Sequence, residues 1–328
     1  MIDSHAGGAS PNSAVGAQEL TKYYDSLLAV DHISFDIRQG ELFGFLGPNG
    51  AGKTTTIRIF MNLTRPSEGA ASVYGMDSVS DTLAVKSIVG IVPEVSNVFP
   101  EITALSNLTF TGSLYGLGRK ERTRRATELL DMFGLTEYGS NKAGQLSLGL
   151  KRRLAIAMSM VHKPRVLFLD EPTSGLDVTA SRAIRDIVRR LNSEGVTFFL
   201  TTHNMEEANQ LCDRIAVINH GKIIAVDTPE RLRQAASEAR AIEVTFDRRP
   251  TVDEEAGLAG IDGVSGVAEA GESFRLFTAD PESTLRSLFM FMEERDLRAR
   301  SVNTPGPTLE DVFVKLTSEE QEVGSSQQ

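Results

Sequence analysis

Residues 41–63 read ELFGFLGPNGAGKTTTIRIFMNL. The segment opens on a short apolar strand, ELFGFLG (41–47), that ends in glycine, and TTTIRIFMNL (54–63) reads as a helix. Between them Gly47-Pro48-Asn49-Gly50-Ala51-Gly52-Lys53-Thr54 fits G-x-x-x-x-G-K-[ST], in the strand-to-helix setting the pattern requires. The glycines let backbone N–H groups turn inward around phosphate oxygens. Lys53 is placed to reach the β- and γ-phosphates of a nucleotide, and the Thr54 hydroxyl to hold Mg²⁺.

The complementary acidic half is RVLFLDEP (165–172), a buried parallel-type strand with four apolar residues ahead of the acid. Asp170 can hold Mg²⁺ through water, and Glu171 is placed to orient or deprotonate an attacking water. Two adjacent carboxylates alone often mark a solvated strand end. With a phosphate loop in the same chain they point to nucleotide hydrolysis. SIVGIVPE (87–94) is a further strand candidate, and VTFFLTTH another; helices and the strand pair RIAVINHGKIIAVD alternate with them. That alternation predicts an α/β core with a mainly parallel sheet. LLAVDHISFDI, within residues 19–39, suits an antiparallel β subdomain, and residues 102–163 interrupt the alternation as an inserted helical subdomain. Composition shifts near 236–241. The expected organisation is a polar tail over 1–17, a core over 18–235, a small α+β domain over 240–318 and a second polar tail over 319–328.

The chain has 328 residues and a formal net charge of −10, so no global basic field favours nucleic acid or an anionic membrane. A single cysteine, Cys212, excludes an internal disulfide framework and reads as a small buried residue on a helix. The five histidines show no metal-ligand spacing. The N-terminus lacks the cationic start and apolar segment of a signal peptide, and no stretch reaches the roughly 18 apolar residues a membrane helix needs. The expectation is a cytoplasmic protein that works at a membrane only through a partner.

Residues 146–154, LSLGLKRRL, put a serine and a glycine ahead of a cationic cluster and the apolar run AIAMSMV. This is a helix start suited to an anion, with no base or nucleophile beside it; taken alone it reads rather as an ordinary serine-capped helix. In order with the other motifs it resembles the LSGGQ signature of ATP-binding cassette (ABC) ATPases. EPTSGLD resembles that family's D-loop, TTHNMEEA its switch histidine, and LTKYYDSLLAVDHISF its adenine-stacking region. The likeness covers about residues 18–235. It implies that ATP lies between the phosphate loop of one subunit and the signature of a second, packed head to tail. Tyr24 would then stack on adenine, with Val30 and Thr55 completing the nucleotide set. Ser147, Leu148 and Gly149 would meet the γ-phosphate held by the other copy, His203 would contact the γ-phosphate, and Asp177 would cross the dimer interface.

Three positions depart from the family pattern. Glu94 stands where a glutamine is usual; it can still ligate Mg²⁺ or its water, but it adds negative charge near phosphates. Leu148 and Leu150 replace a glycine and the signature's glutamine. PTLEDVFVKLT resembles the end of the small accessory domain on ATPase subunits of drug- and antibiotic-export systems; the same residues also read as an amphipathic helix with Leu309, Val312, Phe313 and Leu316 on one face. The resemblance implies the ATP-hydrolysing subunit of an exporter, with ATP and Mg²⁺ as cofactors. Its partners would be a second cassette and a separate permease, not nucleic acid, and it would lie on the inner face of the cell membrane. The alternatives are a soluble ABC ATPase acting on ribosomes or nucleic acid, and a non-transport ATP-dependent regulator.

Overall fold

The computed structural model describes residues 12–95, 97–235, 240–304, 309, 312 and 313. It divides into two compact units, 1–228 and 229–328. The division falls ahead of the composition shift near 236–241.

In chain order, the strands of the first unit are β1 (Ser13–Tyr24), β2 (Leu27–Arg38), β3 (Leu42–Leu46), β4 (Glu68–Val73), β5 (Met76–Asp77), β6 (Val89–Val92), β7 (Val166–Asp170), β8 (Thr197–Thr202), β9 (Arg214–Asn219) and β10 (Lys222–Asp227). Its helices are α1 (Lys53–Phe60), α2 (Thr82–Ile88), α3 (Ala104–Leu114), α4 (Arg119–Met132), α5 (Leu148–Ser159), α6 (Val178–Ser193) and α7 (Met205–Leu211). One sheet is antiparallel, in the order β2-β1-β4-β5; the other runs β10-β9-β3-β8-β7-β6, with β10 alone antiparallel to its neighbour. β3 and β7 are buried at every position, as strands covered on both faces must be, which explains their unbroken apolar runs. The two sheets share one core. Phe35 of β2 stacks on Phe43 of β3 at 5.7 Å and on Phe199 of β8 at 5.8 Å, while Phe60 of α1 stacks on Phe168 of β7 at 5.7 Å. α6 buries Ile184, Ile187, Val188 and Leu191, one stripe at helical spacing. Helices α3, α4 and α5 fill the expected helical insertion.

Two local expectations are corrected. The polar tail expected over 1–17 ends earlier, because β1 starts at Ser13 and buries Ala14, Val15 and Ala17, with Val15 opposite Val73 and Ala17 opposite Ala71. The small residues of SAVGA hid a strand behind a tail-like composition. The strand expected over 87–94 is only Val89–Val92, since Ser87 and Ile88 close α2. Cys212 is buried as expected. Gly44 makes room for it, because a Cβ there would come within 2.6 Å of the Cys212 Sγ, and burial pushes the thiol pKa up.

The second unit holds α8 (Pro229–Ala235), β11 (Arg240–Phe246), α9 (Val252–Leu258), β12 (Val264–Ala270), β13 (Ser273–Thr278), α10 (Pro281–Glu294) and β14 (Ala299–Asn303). Its antiparallel sheet runs β12-β13-β11-β14 and packs Ile242, Val244, Phe274 and Leu276 into one core with Leu288 and Phe291 of α10. This is the expected α+β unit. Leu309 and Val312 are buried, whereas Leu316 and the 319–328 tail, like residues 1–11, lie outside the described residues.

Candidate functional site

The phosphate loop leaves β3 at Leu46 and enters α1 at Lys53. Gly47 leaves no room for a side chain, since a Cβ there would come within 2.2 Å of the Ile218 carbonyl oxygen. Gly50 and Gly52 take φ of 84° and 102°, where side chains are strained. Lys53 is buried; its ammonium donates to the Gly47 carbonyl at 2.6 Å and the Pro48 carbonyl at 3.0 Å, and lies 3.2 Å from Glu171 Oε1. The loop thus folds its carbonyls around the Lys53 ammonium.

β7 delivers the two acids. Asp170 accepts from the Thr54 hydroxyl at 2.9 Å on Oδ2 and from the Thr201 hydroxyl at 2.5 Å on Oδ1. Glu171 follows with a left-handed φ of 47°, which turns it out of the strand. Its Oε2 accepts from His203 Nδ1 at 2.9 Å and from the His203 backbone N–H at 3.3 Å. An ionised carboxylate only accepts, so this contact puts the imidazole proton on Nδ1. Glu171 Oε1 is buried and accepts no hydrogen bond among the described residues; the Lys53 ammonium lies 3.2 Å from it. A buried carboxylate oxygen with a free lone pair, oriented through its other oxygen, is what a water-activating base requires.

Tyr24, Asn49, Gly50, Gly52, Lys53, Thr54, Thr55, Glu94 and Glu171 line one open cavity of about 580 Å³, together with Leu27, Leu28, Ala29 and His220. Of the loop residues outside that lining, Gly47 and Ala51 are buried and Pro48 is exposed. Val30 is not part of the cavity: it is fully buried, and its Cγ2 packs behind Gly52. Alternation along β2 turns this residue inward. His203 stands at the edge of this cavity. Its imidazole is bonded to Glu171 and lines a neighbouring cavity with Thr173, Asn204 and Glu207, with Glu171 as the shared wall.

The signature lies elsewhere on the chain. Ser147 caps α5, its Oγ accepting from the Leu150 N–H at 3.3 Å, so the modest capping reading is realised. Leu148 is half exposed. A Cβ on Gly149 would come within 2.9 Å of the Ala180 Cβ, and one on Gly175 within 3.7 Å of Leu148, so signature and D-loop pack side by side. Asp177 is exposed and caps α6 through the Ala180 N–H at 2.8 Å. None of Ser147, Leu148, Gly149 and Asp177 lines the phosphate-loop cavity.

Two connectors were missed in the sequence. Arg152, one turn into α5, is buried and donates to the Pro93 carbonyl at 2.7 Å, the Glu94 carbonyl at 2.9 Å and the Glu171 carbonyl at 3.4 Å. Burial lowers its pKa, while Glu94, Asp170 and Glu207 oppose that shift. In the sequence it is one of three consecutive cations, KRR, with nothing to mark it as the buried one. Glu207 of α7 is buried and accepts from the Thr173 hydroxyl at 2.8 Å and the Thr202 hydroxyl at 2.7 Å; burial raises its pKa against those bonds, with the Glu171 charge adding to the rise. It joins the turn after Glu171 to the strand end before His203.

A family model described as ABC transporter matches residues 30–174. The chain is 36% identical over 306 residues to the daunorubicin resistance ATP-binding protein DrrA2 of Streptomyces coeruleorubidus, spanning 93% of this chain and 95% of that protein. It is likewise 36% identical over 306 residues to the linearmycin resistance ATP-binding protein LnrL of Bacillus subtilis (strain 168), spanning 92% and 97%. Both alignments exceed the 228 residues of the first unit and so extend into the second. Among solved structures, a dimeric ATP-binding cassette in a post-hydrolysis state bound to ADP and Pi superposes with a TM-score of 0.60 at 28% identity, over 65% of this chain and 98% of that one.

Proposed function

The chain belongs to the ABC transporter family and is an ABC-type ATPase, and on that premise we propose that it is the motor subunit of a two-component exporter. It dimerises head to tail around two ATP and drives a separate membrane permease. The observation that carries this reading is the division of the site. One cavity gathers Lys53, Thr54 and Glu171, while Ser147, Gly149 and Asp177, none of which lines it, form a second surface on the same chain. A second copy supplies each cavity with what its own chain keeps elsewhere.

Within each cavity, Tyr24 offers its half-exposed ring to the base, and the phosphate loop with the N-terminus of α1 takes the phosphates. Lys53 offsets their charge. Glu171 accepts the proton of the attacking water on Oε1, and His203 holds the carboxylate in place. The donors suit Mg²⁺: a hydroxyl and carboxylates are hard oxygen ligands, and Thr54 and Asp170 already touch. Among the described residues no three His, Cys, Asp or Glu side chains gather into a metal cluster, which fits an ion that takes further ligands from water and nucleotide. Bound there, Mg²⁺ would stabilise charge on the transferred phosphoryl group.

The permease is inferred from three features. No described helix is long and apolar enough to cross a membrane. The relatives above are named for drug resistance. Phe99 and Phe110, both exposed, pack edge to face at 5.2 Å; Asn107 holds Phe99 there through its backbone. This apolar pair follows the Glu94 loop and suits a docked permease helix, which would keep the chain at the inner face of the membrane. The test is ATP turnover by the purified chain, with and without membranes carrying the membrane protein encoded beside it. Turnover stimulated by those membranes, and chain retained on them, supports the proposal. Turnover without either effect leaves an ATPase and removes the exporter.

A further inference from the structure

β9 and β10 are joined by the two-residue turn His220-Gly221, with φ of 43° and 82°. Two successive positive φ values define the type I′ hairpin turn, whose preferred first residue is asparagine, aspartate or glycine. Histidine tolerates the left-handed region better than most side chains but is not the residue the turn itself selects. The turn is fixed on two sides. The Gly221 N–H donates to the Ala51 carbonyl of the phosphate loop at 3.2 Å, and the Asp31 N–H donates to the Gly221 carbonyl at 2.9 Å. A Cβ on Gly221 would press on the Ala29 carbonyl at 3.1 Å. The His220 side chain, exposed, lines the same cavity as Tyr24, Ala29 and the phosphate loop, and among the described residues no hydrogen bond or ion pair holds its imidazole.

We propose that His220 is a nucleotide-contacting residue that hydrogen-bonds the ribose–α-phosphate part of the bound nucleotide. This rests on the reading of the cavity as the ATP site. Its placement follows from the two anchors. Ala51 belongs to the loop that takes the phosphates, and Ala29 belongs to the strand beside Tyr24, which takes the base. A turn bonded to Ala51 and packed against Ala29 presents its side chain between those ends. Lys53 and the start of α1 already serve the distal phosphates, so a side chain set between the loop and the strand beside Tyr24 faces the segment nearer the sugar. The contact is therefore present with ATP and ADP alike.

The test is nucleotide affinity of the full chain and of His220→Asn, measured by calorimetry with ATP, ADP and 2′-deoxy-ATP. Asparagine is the residue type I′ turns favour, so the hairpin and the melting temperature should be kept. The expected result is a Kd raised about three- to tenfold for ATP and ADP by the same factor, the size of one lost hydrogen bond. If the partner is the ribose hydroxyl, 2′-deoxy-ATP removes the difference between the two proteins; if it is the α-phosphate, the difference persists. Unchanged affinities in a folded His220→Asn chain would overturn the proposal, as would a loss confined to ATP. A wild-type chain that binds neither nucleotide would remove the ATP site itself, and this contact with it. A wild-type chain whose ATP binding depends on Lys53 but not on His220 would remove only the contact.

Discussion

The two halves of the site are built in opposite ways. At the phosphate loop the polar groups are tied to one another, Lys53 to Glu171, Thr54 to Asp170, Asp170 to Thr201 and Glu171 to His203, with Lys53, Asp170, Glu171 and Thr201 buried. At the signature, Ser147 and Asp177 bond, among the described residues, to the first turns of their own helices, and Leu148 and Val178 stand exposed beside them. The first half is assembled on its own chain and holds the groups proposed to react. The second is a surface with a cap and no chemistry. Arg152 connects them, running from the signature helix to the backbone of Glu94 and Glu171.

If the first half alone holds the chemistry, Glu171→Gln should retain ATP binding and lower turnover by about 10²–10⁴, the usual scale of a general base. Full turnover in that variant would falsify the role of Glu171. If the second half serves only the other copy, Ser147→Arg should leave ATP affinity of the isolated subunit intact and lower turnover by about 10²–10³, as loss of transition-state hydrogen-bond donors does. An altered single-subunit affinity would erase the distinction between the halves. The internal wiring is tested by Glu207. Glu207→Ala leaves the Thr173 and Thr202 hydroxyls without their acceptor and should cost about 1–3 kcal/mol in denaturant unfolding. Glu207→Gln resembles the protonated acid that burial favours and should cost less. Equal losses would show that shape, not bonding, matters there. The smallest effect concerns Glu94, which lines the cavity while its carbonyl is held by Arg152. Glu94→Gln should change permease-stimulated turnover more than basal turnover, within about a factor of ten for a coupling of ordinary size. Equal proportional changes would confine Glu94 to the metal site.

What could be read from the sequence follows the same divide. Gly47–Thr54 and Asp170–Glu171 were legible because backbone constraints and buried strands force particular residues into short, contiguous patterns. The links between them were not, because they join residues distant in sequence. Nothing in KRR says which cation turns inward, and nothing in TTHNMEEA says that His203 grips Glu171 while Glu207 ties Thr173 to Thr202. Val30 was misplaced for a simpler reason, since one step along a strand exchanges cavity for core. His220 was hidden in a hairpin that reads only as a turn.

The central claim is that each active site is completed by the signature of a second copy. Light scattering on the Glu171→Gln chain, with and without ATP, and on the same chain carrying Ser147→Arg, tests it most directly. The account predicts a monomer without ATP, a dimer with it, and a monomer under both conditions once Ser147→Arg is added. A dimer that forms without ATP and survives Ser147→Arg would contradict it, and would place any association of this chain on a different surface.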